Sequence, residues 1–425
     1  MAAAFAAAPG AAFAEWTNTY AVEWNEPALY YGGEGNSVDP GTDCPKGANP
    51  DPDWVEIMVK ADYSREQAEW LFYPDNMMPR SQVLNQMGFR GRDRANVYAD
   101  PTSTPDPGFV EVSGTIGEGI DLDGDKTTGF TSPEGETGID NQFYRALGCW
   151  KYYRGKPRTS ASAMGVNGFM RDGVWAMVIV VSGAGDDPMN DDDVDIGFYM
   201  SLERLVKNGF DQVAPDYTFR IGPHERYEAI FKGKVVDGRI TTKATPEVFF
   251  RDAGYGGGME LLQARADLHM QPDGSLKGYI GGYRPWAMVF DNFIKRSGGV
   301  VETQDGIQLP ALWYALRRNA DYSPAGAGGE KTHISYAQRI DAVPAYVTGP
   351  DGKTLVSSVK SYKSVAPKGE PLIYFPPRNR PGRRPVVDGM TVPEGQTEAT
   401  PLSDKELRPP PSMRAEAAGT KGSVQ

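Results

Sequence analysis

Asp121, Asp123 and Asp125 stand at alternate positions in the run Asp121-Leu122-Asp123-Gly124-Asp125, and a Gly-rich acidic stretch continues from there to Asp140-Asn141. Carboxylates at every second residue, with glycine admitting the sharp turn between them, form the oxygen donor set that a six-to-eight-coordinate Ca²⁺ takes. Against the EF-hand template the aspartates fill positions 1, 3 and 5, but Lys126 stands where glycine is required and Ser132 where the closing glutamate is required. The loop is therefore longer and irregular, and Glu134, Glu136 or Asp140 must close the shell. Asp140 is the expected closing ligand, so the ligand set is Asp121, Asp123, Asp125 and Asp140. Such an ion would be structural, holding a Gly-rich loop that cannot fold on its own apolar content. The competing reading is a solvated acidic turn without an ion.

A second acidic run contains Asp186, Asp187, Asp191, Asp192, Asp193 and Asp195. These carboxylates repel one another unless cations or arginines intervene. Asp186, Asp187, Asp191 and Asp193 are a candidate second cation cluster, weighed against an ordinary solvated loop. The three histidines, His224, His269 and His333, have no metal-ligand spacing, which argues against a His-built zinc or iron site. No Gly-x-Ser-x-Gly occurs, and Ser357-Ser358-Val359-Lys360 alone is too weak a match to Ser-x-x-Lys to assign a nucleophile. The glycines at 254 and 256–258 lack the Lys-Ser/Thr of a phosphate loop and read as a flexible turn. Glu66, Glu69, Glu225 and Glu260 are candidates for a glycosidase carboxylate pair, whose separation only a fold can supply.

The elements around these residues are those of a globular chain rich in turns. The chain has 425 residues, 50 of them glycine and 34 proline, which favours β architecture over a helical bundle. Its net charge of −12 is uneven: residues 351–425 hold 12 Lys and Arg against 8 Asp and Glu, a balance of +4, which leaves −16 for residues 1–350. An acidic body without a basic, aromatic-interleaved stripe argues against nucleic acid as a partner. Residues 1–14 are nearly all Ala, Phe, Gly and Pro and end in a small-x-small pattern, as the second half of a secretory signal does. No other apolar run is long enough to span a membrane. In an exported chain Cys44 and Cys149 would pair, closing a loop whose entropy contributes up to ~4 kcal/mol. Two separate buried thiols are the alternative.

Residues 15–108 read as an irregular segment pinned by Trp16, Tyr20, Trp24, Tyr30 and Tyr31. It holds a short helix that begins at the capping-box spacing of Ser64 and Gln67, and a second at 81–87. Residues 109–350 change to a period of two. Val110, Val112 and Ile116 begin a strand. Further strands are expected at 175–181, 194–200, 217–221, 227–231, 234–240 and 259–270, with turns at Lys232-Gly233-Lys234 and Pro272-Asp273-Gly274. Helical spacing returns at 286–294 and 309–318, and 334–347 fits either a strand or a short helix. Residues 351–425 contain 11 of the prolines and form an extended tail. The expected fold is mainly β: an antiparallel β-sandwich of jelly-roll type with a few added helices.

Three phrases, at residues 138–149, 278–283 and 340–347, resemble a group of secreted proteobacterial proteins to which no activity is assigned. The resemblance runs from about residue 20 to 350 and implies export, with no catalytic residue to carry over. Locally, residues 121–125 resemble the calcium loops of thrombospondin-type and dockerin modules.

The expected function is an exported, calcium-stabilised binding or accessory subunit of a periplasmic or extracellular assembly, with a protein partner contacted by the tail. A secreted hydrolase acting on a polysaccharide or another polymer, and a structural protein of an extracellular assembly, are the competing classes.

Overall fold

The structure is a computed structural model that describes residues 14–30, 63–71, 108–153, 158–173, 175–251, 258–290 and 309–367, with Cys44 and a few short isolated pieces. The first strand, β1 (Trp16–Pro27), lies in the segment expected to be irregular. Helix α1 (Arg65–Leu71) starts as expected: the Gln67 N–H donates to Ser64 Oγ at 3.1 Å and the Ser64 N–H to Gln67 Oε1 at 2.9 Å, a reciprocal capping box. A small hairpin, β2 (Phe130–Thr131) and β3 (Thr137–Ile139), leads into α2 (Gln142–Leu147). Helix α3 (Ala161–Arg171) precedes β4 (Ala176–Gly183), β5 (Asp191–Ser201) and the short β6 (Thr218–Arg220). Then come β7 (Glu228–Val236), β8 (Arg239–Thr242), β9 (Thr245–Arg251), β10 (Gly258–Met270) and β11 (Leu276–Pro285). Helix α4 (Leu309–Arg318), β12 (His333–Pro344) and β13 (Tyr346–Thr348) complete the body.

Eight of these strands close into an antiparallel barrel, in the order β8-β7-β5-β4-β1-β12-β11-β10, and β8 returns to pair with β10. The closing rungs are Arg239 with His269, Ile240 with Leu268 and Thr241 with Asp267. This overturns the expected β-sandwich. Alternation and short turns specify an antiparallel sheet, but they do not say whether its edges meet, and here one long strand, β10, serves both β11 and β8. β1 is also essential to closure, because it fills the gap between β4 and β12. Two local expectations fail as well. Residues 110–116 form no strand, only an isolated bridge from Ile116 to Thr131. Lys232-Gly233-Lys234 is no turn but lies inside β7, where a Cβ on Gly233 would stand 2.4 Å from Thr241 O of the neighbouring β8. Glycine there admits the seam strand, and the turn falls at Asp237-Gly238.

Apolar side chains fill the barrel. Tyr20, Ile179, Phe198, Phe231, Leu268 and Ile280 are all buried, and the Phe198 and Phe231 rings meet edge to face at 5.7 Å. The outer wall carries charge: Lys232 pairs with Asp195, Arg239 with Asp267 and Arg339 with Glu26. That is the inverse of a membrane-spanning barrel, which is apolar outside and polar within. Among the described residues, no helix is long and apolar enough to cross a membrane. A bulge between Val22 and Trp24 bends β1, and Asn167 of α3 covers the loosened backbone: its Oδ1 accepts the Asn25 N–H at 2.9 Å and its Nδ2 donates to Asn25 O at 2.6 Å. The expected helix at 81–87, the glycines at 254, 256 and 257, and residues 1–13 lie outside the described residues.

Candidate metal centre

The acidic loop lies on the outer wall of β10, β11 and β12. Ile120 and Leu122 are its apolar feet, buried with Tyr283. They press onto Gly281, where a Cβ would meet Ile120 Cδ1 at 3.5 Å and Leu122 Cδ2 at 3.6 Å. Gly129 has φ +74°, and a Cβ on it would stand 2.4 Å from Ile139 O, so only glycine lets β2 and β3 close this tightly. Arg239 ties the loop to the barrel, gripping Asp267 on the wall and Glu136 in the loop with nitrogen-to-oxygen distances of 2.6 Å each.

This folding brings together one oxygen each from Asp121, Asp123 and Asp140, all within 4.8 Å of one another. It is the one such acidic group among the described residues, and it could hold a metal ion. Asp140 is buried, Asp121 half-buried and Asp123 exposed, so the group opens to solvent on one side. Asp140 Oδ2 accepts the N–H groups of Leu122 at 2.7 Å and Asp123 at 3.2 Å. Its next residue, Asn141, caps α2 by accepting the Tyr144 N–H at 3.1 Å. Candidate ligand, cap and helix are therefore set by consecutive residues.

The group carries more negative charge than its surroundings neutralise. Burial, with the charge of Asp123 adding to it, pushes the Asp140 carboxyl up to about 6, against the two amides that pull it down. Asp321, whose carboxylate accepts the Ser335 N–H at 2.7 Å, is also raised by burial. Tyr283 is stacked on Tyr322 with ring centroids 4.0 Å apart, and its hydroxyl is held protonated by burial and by the charges of Asp140, Asp321 and Asp123. One cation is built in: Lys126 Nζ lies 2.7 Å from Asp121 Oδ2.

Asp125 does not join the group. Its Oδ1 accepts both the N–H of Thr127 at 2.9 Å and its hydroxyl at 2.6 Å, which holds the carboxyl below its usual range. The threonine two residues on was the signal for this turn. Glu136 is committed to Arg239, and Glu134 is exposed at the hairpin end.

In the second acidic run, Asp191 Oδ2 accepts from Trp16 Nε1 at 2.9 Å and the Gly185 N–H at 2.8 Å, and its Oδ1 from the Asp193 N–H at 2.9 Å. Asp187 accepts from the Met189 N–H at 2.8 Å and Asn190 Nδ2 at 3.1 Å, while Asp186 and Asp193 are not drawn into a group with them. The run is a β4–β5 hairpin whose aspartates hold the turn.

Cys44 and Cys149 form a disulfide, with Cα atoms 5.7 Å apart. Cys149 follows the Gly148 that caps α2, so the bridge anchors the far end of the helix that Asn141 begins. The histidines stay apart: His224 stacks on Tyr227 at 4.2 Å, His269 lies outside the barrel 3.5 Å from Asp267, and His333 is buried beside Thr332. Glu66 and Glu69 lie on α1, Glu225 in the turn before β7 and Glu260 on β10. Comparison with protein-family models, with curated proteins and with solved structures finds no match to this chain.

Proposed function

We propose that Asp121, Asp123 and Asp140 bind one Ca²⁺ that clamps the acidic loop to the barrel, and that the protein is an exported, non-catalytic binding subunit. The observation that carries the metal is the convergence of three carboxylates from both ends of the loop within 4.8 Å, in a setting where Asp140 is raised by burial and by its acidic neighbour. Purely oxygen donors on an irregular loop suit calcium, which tolerates uneven geometry and completes its shell with carbonyls and water, better than magnesium, which demands an octahedron. The Cys44–Cys149 bridge supports an oxidising compartment. A barrel filled by its own side chains, with a charged wall outside, supports binding by the surface rather than within a chamber.

Metal analysis of the purified protein, with thermal melting in calcium and in chelator, tests the reading. One bound calcium per chain and a lower melting temperature in chelator are expected. Calcium at a hundredfold excess over its Kd stabilises by about 2.7 kcal/mol. Absence of calcium together with a melt indifferent to chelator would overturn it.

A further inference from the structure

After β13 the chain turns at Asp351, whose carboxylate accepts the N–H groups of Lys353 and Thr354 at 3.0 and 3.1 Å, and then runs out over the barrel wall. It crosses β1, β4, β5 and β7 in the order in which they stand in the barrel. Thr17 Oγ1 donates to Ser357 O at 2.8 Å, and Ser182 Oγ accepts the Val359 N–H at 3.0 Å. The Tyr199 hydroxyl donates to Lys360 O at 2.8 Å and accepts the Lys360 N–H at 3.2 Å. Glu228 Oε2 accepts the Tyr362 N–H at 2.7 Å. Thr17 pairs with Ser182 and Tyr199 with Glu228, so the strap descends the wall diagonally from one rung to the other.

Each of these bonds joins a side chain of the wall to the backbone of the strap. Such contacts read an extended chain without reading its sequence. Two strap side chains are buried: Val356, where the strap leaves β13 with its N–H donating to Val347 O at 2.9 Å, and Tyr362, edge-on to Tyr199 with ring centroids 5.7 Å apart. Leu355 and Val365, just outside them, are 57% and 59% exposed. The wall is shaped for this use at a cost, since glycine within a strand weakens it. A Cβ on Gly197 would stand 2.4 Å from the Tyr199 hydroxyl, so the bare backbone lets the ring lie along its strand and aim the hydroxyl at the strap.

We propose that this wall is a groove for extended peptides, and that residues 356–362 are a ligand it carries in cis, to be displaced by a partner's extended segment bearing an apolar and an aromatic residue six positions apart. The inference names the partner class for the binding reading above and uses none of the metal residues. A tethered occupant competes at an effective concentration of roughly millimolar, so an outside peptide binds the intact chain weakly.

The test uses the full chain and a fluorescent synthetic peptide of residues 355–366, followed by anisotropy. Weakening the chain's own strap with Val356→Ser and Tyr362→Ala is expected to tighten peptide binding by at least about tenfold. Adding Tyr199→Phe and Ser182→Ala to that protein should abolish the gain. A peptide altered at 357–361 but keeping Val356 and Tyr362 should bind as well as the original. No saturable binding to a strap-weakened protein that still melts cooperatively overturns the proposal, as does binding indifferent to Tyr199→Phe and Ser182→Ala. Should the strap-weakened protein fail to fold, the wild type decides. Excess unlabelled peptide must speed amide exchange at the chain's own Val359, Lys360 and Tyr362, and unchanged exchange overturns the groove. Calcium binding that persists without peptide binding removes the groove and leaves the metal reading intact.

Discussion

The Leu122 N–H donates to Asp140 Oδ2 at 2.7 Å, so the first and last parts of the acidic loop are joined before any ion is considered. Substituting Asp140 therefore strikes both the metal group and the loop's own closure. Asp140→Asn is expected to weaken calcium binding by more than about tenfold and to make the melt insensitive to chelator, whereas Asp125→Asn should bind calcium nearly as well as wild type. Titration calorimetry of the two variants checks the contrast.

A pH dependence follows from the same carboxyl. Its folded value is raised to about 6 from 3.8, so the metal-free fold takes up a proton more readily than the unfolded chain. The stability linked to Asp140 is full below about pH 4 and is lost as pH rises through about 6, on the order of 3 kcal/mol. In chelator the Asp140 contribution to melting should fall across that window and vanish in Asp140→Asn. With calcium the trend should reverse, because the ion needs the ionised form.

Arg339 stands between two carboxylates, 2.7 Å from Glu26 Oε1 and in contact with Glu118 Oε2, with Glu26 almost fully buried and raised by that burial. Arg339→Met removes the cation from both acids, leaving Glu118 with the Tyr279 hydroxyl at 2.9 Å, and should cost about 3–5 kcal/mol in chemical denaturation. Glu26→Gln leaves the Arg339–Glu118 pair intact and should be close to neutral.

Cys44→Ser and Cys149→Ser should each lower stability by up to ~4 kcal/mol, and reduction of the wild type should match them. Gly129→Ala removes no ligand, yet at φ +74° with Ile139 O in the way it should impair calcium binding by breaking the β2–β3 closure.

What could be read along the chain was local. Asp140 lies in the acidic group, as expected of a residue nine positions before a cysteine that anchors the same corner, and the capping box at Ser64 is plain in the sequence. The disulfide followed from there being two cysteines in an exported pattern. Asp125 stands outside the acidic group because its side chain answers to Thr127, a competition that donor spacing alone does not reveal. The barrel was not legible because its closure rests on pairings far apart in the chain: Tyr20 faces Ile179 on one side and Pro344 on the other. Gly233 looked like a turn residue because glycine marks close backbone approach as well as turning, and only the neighbouring strand tells which.

The placement of β1 also sets a timetable. Once synthesised, β1 must wait for β12, more than three hundred residues later, before it can be flanked on both sides. Contacts this distant in sequence make for slow folding. Until residue 344 is released, β1 and β11 each lack the strand that joins them, and the newborn chain carries two open sheet edges that invite mispairing with other copies.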